Sequence, residues 1–450
     1  MFNRTIHVLA AWSAMAMTGW TAEPRQVPPA DVNATSIGSD AEAWAAARAG
    51  SIPLTLDAAI QLALENNPEL RAAAGRVEAA AGRADQARPR PNPELEFGIE
   101  EWPVGGGGGY SEAKQTLGVA QTLPFPGKKP LDRRIGSAAV KVSEAQRGLL
   151  TRELVRDVKV AFFRVLAAER LMEVAAELVK VADSSAATAA RRVEAGAVAF
   201  QEQLRAEIQS EQVKSELTGL RCDLVTARQG LAMVMGRPDL QDAPLSGAMM
   251  ETPAAGLRDE AAQVDLSTYP GMAAAQATLD QATLEHRRAR LEPYPDLRVG
   301  VAGGRMGDTG DSIVELRVAL PLPLFDRAKG RRKESQANVV VARAEMDVVR
   351  QQLLRQRADT VQRYLAAIEQ VTLYREQILP KAAEALRLVQ TGFEQGKFNF
   401  IDWVDTQRTV AEARLAYQQR LLEMNVAQAE LEAFVIAGPS TIHPQTGAKP

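Results

Sequence analysis

In 450 residues the chain has one cysteine, three histidines and only 5% aromatic residues. The single cysteine, Cys222, excludes an intrachain disulfide, and its place inside a helical pattern predicts a small core residue. His7, His286 and His443 are far apart, and no cysteine pair or Ser/His/Asp spacing accompanies them. No catalytic metal, nucleophile or cofactor is therefore expected, and no enzyme. Met249-Met250 could in principle touch a soft metal ion, but a methionine pair in a loop more often packs. A formal net charge of −3 without a dominant basic field argues against nucleic acid. Beyond the first two dozen residues no apolar run approaches the ~18–20 residues of a membrane-spanning helix. Five glycines in a row, Gly105 to Gly109, lack the following Gly-Lys-Ser/Thr of a phosphate loop.

Proline is also missing over a long stretch. Between Pro130 and Pro238 lie 107 residues without one, rich in Ala, Leu, Glu, Arg and Gln. Leu150, Leu154, Val158, Phe162, Val165, Leu171, Val174 and Leu178 recur at helical spacing. The one break is Glu194-Ala195-Gly196-Ala197, where glycine can take the left-handed conformation that ends a helix. Two antiparallel helices follow, the first reaching roughly 90 Å at about 1.5 Å per residue.

Arg4, the apolar Val8 to Met17, and Ala14-Met15-Ala16 or Thr21-Ala22 as cleavage points read as an export signal over 1–22. No cysteine directly follows it, so no N-terminal lipid anchor is expected. An aperiodic arm covers 23–51. Thr55 is a candidate N-cap for a helix bearing Leu56, Ile60 and Leu64, and Pro68 starts a second piece toward Arg88. The period then changes from helical to alternating. Leu95, Phe97 and Ile99 share one face of a strand, and Thr116 to Leu123 forms another, closing at Pro124-Phe125-Pro126-Gly127.

The plan then starts again. Pro68 and Pro270, Pro91 and Pro293, Pro93 and Pro295, and Gly98 and Gly300 are each 202 positions apart, which reads as a tandem duplication. The first repeat takes 52–236, with a β-hairpin at about 93–123 and a helical hairpin at about 128–236. A loop-rich segment, 237–268, precedes the second repeat at 269–438. That repeat has a β-hairpin at about 295–321, a loop around Gly303 to Gly310, and a helical hairpin at about 329–436 kinked at Pro380. Gly396 repeats the turn of Gly196, and 439–450 is expected to be a disordered tail. The fold class is mainly α, with long antiparallel helical hairpins and four β-strands per chain.

Each repeat offers two strands of about the length that crosses a bilayer when tilted. Four strands cannot close a barrel, and an open edge is not tolerated in lipid. Copies sharing one barrel would solve this, with eight strands from two chains or twelve from three. A small soluble sheet capping a helical rod is the alternative.

With its glycine turns at Gly196 and Gly396, this twice-repeated arrangement resembles the TolC family of outer-membrane efflux proteins from Leu54 to Gly438. Leu54-Thr55-Leu56-Asp57-Ala58-Ala59, Asn67-Pro68-Glu69-Leu70 and Gln121-Thr122-Leu123-Pro124-Phe125-Pro126-Gly127-Lys128 are similar to the heavy-metal (CzcC- and CusC-like) branch. The resemblance implies a homotrimer with a twelve-stranded transmembrane β-barrel in the outer membrane and an α-barrel in the periplasm. It also implies a periplasmic membrane-fusion adaptor and an inner-membrane pump of the resistance-nodulation-division (RND) type as partners. A periplasmic helical-hairpin adaptor or scaffold, or the same duct serving drugs or secreted polypeptides, are the other readings.

At the second tip Asp402 and Asp405 lie three apart on one helical side. They suit a first helical turn with Asn399 as N-cap. They also match the family's acidic pair, which implies a periplasmic pore constriction of six carboxylates in a trimer. The first tip has Glu202 and Arg205 instead, and Phe393 and Phe398 stand where polar links would close the tip. Gly196 and Gly396 mark the tips expected to meet the adaptor. Lys128, Lys129, Arg133 and Arg134, and Arg327, Lys329, Arg331, Arg332 and Lys333, follow the two β-hairpins and oppose the helix dipole there. Anionic headgroups or plain solvation could accommodate them. Trp102 and Tyr110 are candidates for the outer interface.

Overall fold

A computed structural model describes residues 53–101, 113–196, 198–307 and 309–435. The export signal, the arm at 23–51, the glycine run with Trp102 and Tyr110, and the tail lie outside them.

The chain begins with α1 (Leu56–Asn66), capped by Thr55, whose hydroxyl accepts from the Ala58 N–H at 3.3 Å. Asn67 caps α2 (Pro68–Gln86) by accepting from the N–H groups of Glu69 and Leu70. Proline at the first helical position loses nothing there, since its missing N–H would have no intrahelical acceptor. Strands β1 (Glu94–Glu100) and β2 (Lys114–Leu123) follow, then α3 (Lys128–Glu194) and α4 (Phe200–Val234). A short α5 (Leu257–Gln263) sits in the loop-rich segment. After it come α6 (Pro270–Ala289), β3 (Leu297–Arg305), β4 (Ser312–Ala319), α7 (Lys329–Leu373), α8 (Leu379–Glu394) and α9 (Phe400–Val435). The 67 residues of α3 span about 100 Å. Pro130 is in its first turn, where it is tolerated, so the helix starts before the proline.

The four strands form one antiparallel sheet in the order β1-β2-β3-β4. Its register sets Leu95 opposite Val119, Val119 opposite Val301, and Val301 opposite Leu316. One face is thus apolar, and it is bare: Leu95 is 75% exposed, Leu316 72% and Val314 84%. The other face alternates small residues with charges. Gly98, Gly118, Ala120, Gly300 and Ala302 lie on it because the strands crowd together there. A Cβ on Gly118 would sit 2.6 Å from that of Ala302. Gly303 and Gly304 belong to β3 rather than to the expected loop, and Gly304 fits only because a side chain there would run into the Gln115 carbonyl and Thr116. Among the described residues β1 and β4 each keep one unpaired edge.

Helix α3 is the spine of the helical part. Its Leu154, Val158, Phe162 and Val165 are buried against Ile60 of α1, Leu224 and Leu231 of α4, Tyr364 and Val371 of α7, and Leu421 and Met424 of α9. Two ion pairs cross between helices beside this core, Arg228 to Glu169 and Lys159 to Glu432, both at 2.6 Å. Helix α4 covers only one of its sides. Cys222 falls on the other and is exposed, not the core residue its surroundings in sequence suggest. The kink expected at Pro380 takes the form of a π-turn over Tyr374–Ile378, where the Leu379 N–H reaches back to the Tyr374 carbonyl. The widened turn relieves the clash of a proline ring with the preceding helical turn.

The segment between α4 and α6 is strapped to the helices by buried polar groups. Asn425, fully buried in α9, accepts from the Met250 N–H at 2.9 Å and donates to the Met250 carbonyl at 3.0 Å. Tyr364 accepts from the Ala254 N–H at 3.1 Å, and Arg375 donates to the Glu251 carbonyl at 3.0 Å. Met249 packs into the main core as expected of the pair, whereas Met250 is exposed and its sulfur accepts from the Gln428 amide at 3.4 Å.

Two consequences can be measured. Asn425→Leu keeps the volume but strands both Met250 backbone groups, and should cost about 2–3 kcal/mol with faster proteolysis around Met250. Nearer the tip, Asp183 of α3 accepts from Ser210 at 2.5 Å and pairs with Lys214 at 3.0 Å, both on α4. The Ser210 hydroxyl first, and then Lys214, hold its carboxyl below the usual value. Its stabilisation is therefore present near neutral pH and is lost as pH falls through the lowered folded value. Thermal unfolding should separate the parent from Asp183→Asn near neutral pH, and the gap should close in strong acid.

Candidate functional site at the sheet and the helical tips

The polar face of the sheet is a continuous ion-pair network. Arg298 binds Glu94 at 2.8 Å and also Glu96. Arg317 reaches Glu315 at 2.8 Å and Glu100 at 3.4 Å, while Lys114 bridges Glu100 and Glu315. Charges from all four strands are thereby neutralised by cross-strand partners. An apolar face outside and a paired polar face inside is the pattern of a barrel wall with a wet lumen. Sequence reading identified the apolar alternation but not this network. The signal was present in the even-numbered Glu94, Glu96 and Glu100, whose partners only the register reveals.

At the base of the sheet Asp296 fastens strand to helix. It accepts from the Phe125 N–H at 2.8 Å and from the buried Lys128 ammonium at 2.9 Å. Burial pushes its carboxyl up, but the Phe125 N–H, Lys128 and Arg288 outweigh that and hold it below the usual value. One of the basic residues at the start of α3 thus has a partner within the chain. Arg331, at the start of α7, likewise pairs with Glu292 at 2.7 Å.

The second helical tip is built by complementary end signals. Gly396, at φ 73°, donates to the Phe393 carbonyl at 3.0 Å, and Lys397 donates to the Gly392 carbonyl at 2.7 Å. This closes α8 in a Schellman motif. The Phe398 ring lies over Gly392, where a Cβ would overlap it. Asn399 accepts from the Asp402 N–H at 2.9 Å, and Asp402 accepts from the Asn399 N–H at 3.2 Å. That is a reciprocal capping box with aspartate in the usual glutamate place. Asp405 pairs with Arg408 at 2.9 Å. Both carboxylates are exposed, and each already serves α9. The first tip also turns on a left-handed glycine, Gly196 at φ 68°, but Ala199, the N-cap of α4, offers no side-chain cap. Nothing lies within 4 Å of where a Cβ of Gly196 or Gly396 would stand.

The two hairpins meet above the tips through both a ring contact and a polar link, the Ser185 hydroxyl of α3 lying 3.2 Å from the Gln407 side-chain oxygen of α9. Phe393 stacks on Trp403 with ring centroids 5.4 Å apart and planes 7° apart. The Arg192 guanidinium of α3 lies 5.0 Å above the Phe393 ring. Phe393, singled out as an obstacle to a polar latch, thus joins helices of both hairpins. The sequence carried a hint in Phe393 and Trp403, which flank the turn on its two helices, but nothing marked Arg192 as their neighbour.

A family model described as outer membrane efflux protein matches residues 59–237 and 262–435. The cobalt-zinc-cadmium resistance protein CzcC of Cupriavidus metallidurans is 30% identical over 374 residues, covering 81% of this chain and 86% of CzcC. The pyoverdine export outer membrane protein OpmQ of Pseudomonas putida is 25% identical over 413 residues, 85% of each chain. In fold, the outer membrane protein VceC of Vibrio cholerae superposes with a TM-score of 0.71 at 19% identity, over 84% of this chain and 95% of VceC. The bare apolar sheet face, the long helical hairpins and these matches agree, and the chain belongs to the TolC-type outer membrane efflux proteins.

Proposed function

We propose that this protein is the exit duct of a tripartite efflux system, three copies of which pool their strands into one twelve-stranded barrel. The carrying observation is the sheet itself, apolar and bare on one face, ion-paired on the other and open at both edges. Closing those edges in lipid requires further copies. Exposed apolar residues on the outlying helices support the same assembly: Phe200, Leu204 and Ile208 on α4, and Val340, Val341 and Val348 on α7. A scaffold that never enters the membrane would leave the apolar sheet face in water at a large cost.

In this reading the tips at Gly196 and Gly396 face a periplasmic adaptor, and an inner-membrane RND-type pump drives transport. The cargo is a heavy-metal cation. Similarity to CzcC, named for cobalt, zinc and cadmium resistance, supports that choice, whereas OpmQ is named for pyoverdine export. Asp402 and Asp405 line the narrow periplasmic mouth, where three copies bring together six carboxylates tempered by the Arg408 partners. Such a ring would attract cations and slow their exit.

Conductance across planar bilayers tests the mouth. Asp402→Asn with Asp405→Asn keeps hydrogen-bonding capacity at the helix start while removing charge. It should raise monovalent conductance severalfold and weaken block by cobalt(II); unchanged conductance and block would refute the constriction. For the cargo, a deletion strain should lose growth on cobalt, zinc or cadmium salts and regain it on complementation. Sensitivity to drugs alone, with normal growth on metals, would favour the drug-exporting reading.

A further inference from the structure

We propose that the outward side of the α3–α6 junction, just below the barrel, is a binding site for anionic phospholipid headgroups of the periplasm-facing leaflet. The proposal rests on the outer-membrane reading above and adds a ligand to it.

The two sides of this junction can be told apart from the strand register. Asp296 immediately precedes β3, two residues before Arg298 of the ion-paired face, and pairs there with Lys128 at 2.9 Å. Asp132, one turn along α3, pairs with Arg288 of α6 at 2.8 Å. At 100° per residue, Arg134 lies about 200° round from Asp132 and therefore on the opposite, outward side. There Arg134 and Lys141 of α3 and Arg287 of α6 border a groove of about 390 Å³ floored by Ala138, Ala277 and Leu284. Its one carboxylate, Asp280, accepts from Gln276 at 2.9 Å. Ser137 and Thr283 direct their hydroxyl protons to the carbonyls of Arg133 and Leu279.

The charge balance separates the two sides further. Asp132, Glu292 and Asp296 are all matched by Arg288, Arg331 and Lys128. Arg134, Lys141 and Arg287 make no ion pair among the described residues. Three cations around one acid leave an excess of positive charge facing outward in a chain whose formal charge is −3.

From the groove, α3 leads up through Gly127 to the end of β2 on the apolar sheet face. Above it, Phe125 and Tyr294 stack at 4.7 Å, with Tyr294 half exposed, and Leu123 follows on the apolar face of β2. Aromatic rings at this level mark a membrane–water boundary. Arg134 is six residues below Lys128, about 9 Å along the helix, within reach of the headgroup layer. A phosphate held between Arg134 and Arg287 would let its acyl chains rise past the ring stack onto the apolar strand face.

The test uses full-length protein purified in a neutral detergent, delipidated and titrated with phosphatidylglycerol or with phosphatidylcholine of the same chains. Bound lipid is counted by native mass spectrometry. Phosphatidylglycerol should be preferred, and Arg134→Gln or Arg287→Gln should each lower its binding by about fivefold. Arg134→Lys with Arg287→Lys should keep most of it. Equal binding of the two lipids, full binding by the double glutamine variant, or equal losses from lysine and glutamine variants would each overturn the proposal. So would complete displacement of the lipid by millimolar inorganic phosphate, which would make the groove a site for soluble anions. Absence of the protein from the outer-membrane fraction would instead overturn the membrane reading, so the two failures are distinguishable.

Discussion

A sheet edge in hydrocarbon leaves backbone N–H and C=O groups without partners, and each such group costs several kcal/mol. This chain has two such edges, on β1 and β4, and the bare apolar face between them belongs in lipid. The sheet cannot close on itself, because four strands are too few to enclose a lumen. On the proposed shared barrel, assembly is a condition of the membrane-inserted state rather than a later elaboration of a finished monomer. The small residues on the inner face serve the same end. Strands curling toward a shared axis bring their inward Cβ positions together, and Gly98, Gly118 and Gly300 leave room for the approach.

The helical part meets a different constraint with similar means. In water its backbone is satisfied within each helix, so only apolar side chains demand cover. Among the described residues α3 packs along its length against α1, α2, α4, α6 and α9, whereas α4 and α7 keep apolar residues exposed. The strap between α4 and α6 is held by Asn425, Tyr364 and Arg375, which satisfy backbone groups that no regular element would. Below it the hairpins stay in contact through the Ser185–Gln407 pair, the packing of Ala189 and Ala206 with Trp403 and Val404, and the Arg192 guanidinium over Phe393.

Much of this architecture was legible in the residues, because it rests on period. Alternation marked the strands at Leu95, Phe97 and Ile99, and helical spacing marked α3 from Leu150 to Val165. Local chemistry also transferred: Thr55 caps a helix, Asn399 and Asp402 cap another, and Gly396 closes a third. What resisted reading was everything set by register or by packing between distant segments. The polar network joins Glu96 to Arg298 across 202 positions, and only β1–β2 and β2–β3 pairing together bring them close. Cys222 read as a core residue because it sits inside a helical pattern, but only one side of this outlying helix is covered. Arg192 had no local mark, since a guanidinium over a ring depends on which helices meet. The resemblance carried in the strand ends and glycine turns supplied the family, which periodicity alone could not have named.

The account depends on copies completing one another's sheet. Native mass spectrometry of the full-length protein, extracted from outer membranes in detergent, measures this directly. A single species of three chains that falls apart to monomers only on heating is the predicted result. A monomer that stays folded in water without detergent would contradict the shared barrel, and with it the reading of the tips as the mouth of a duct.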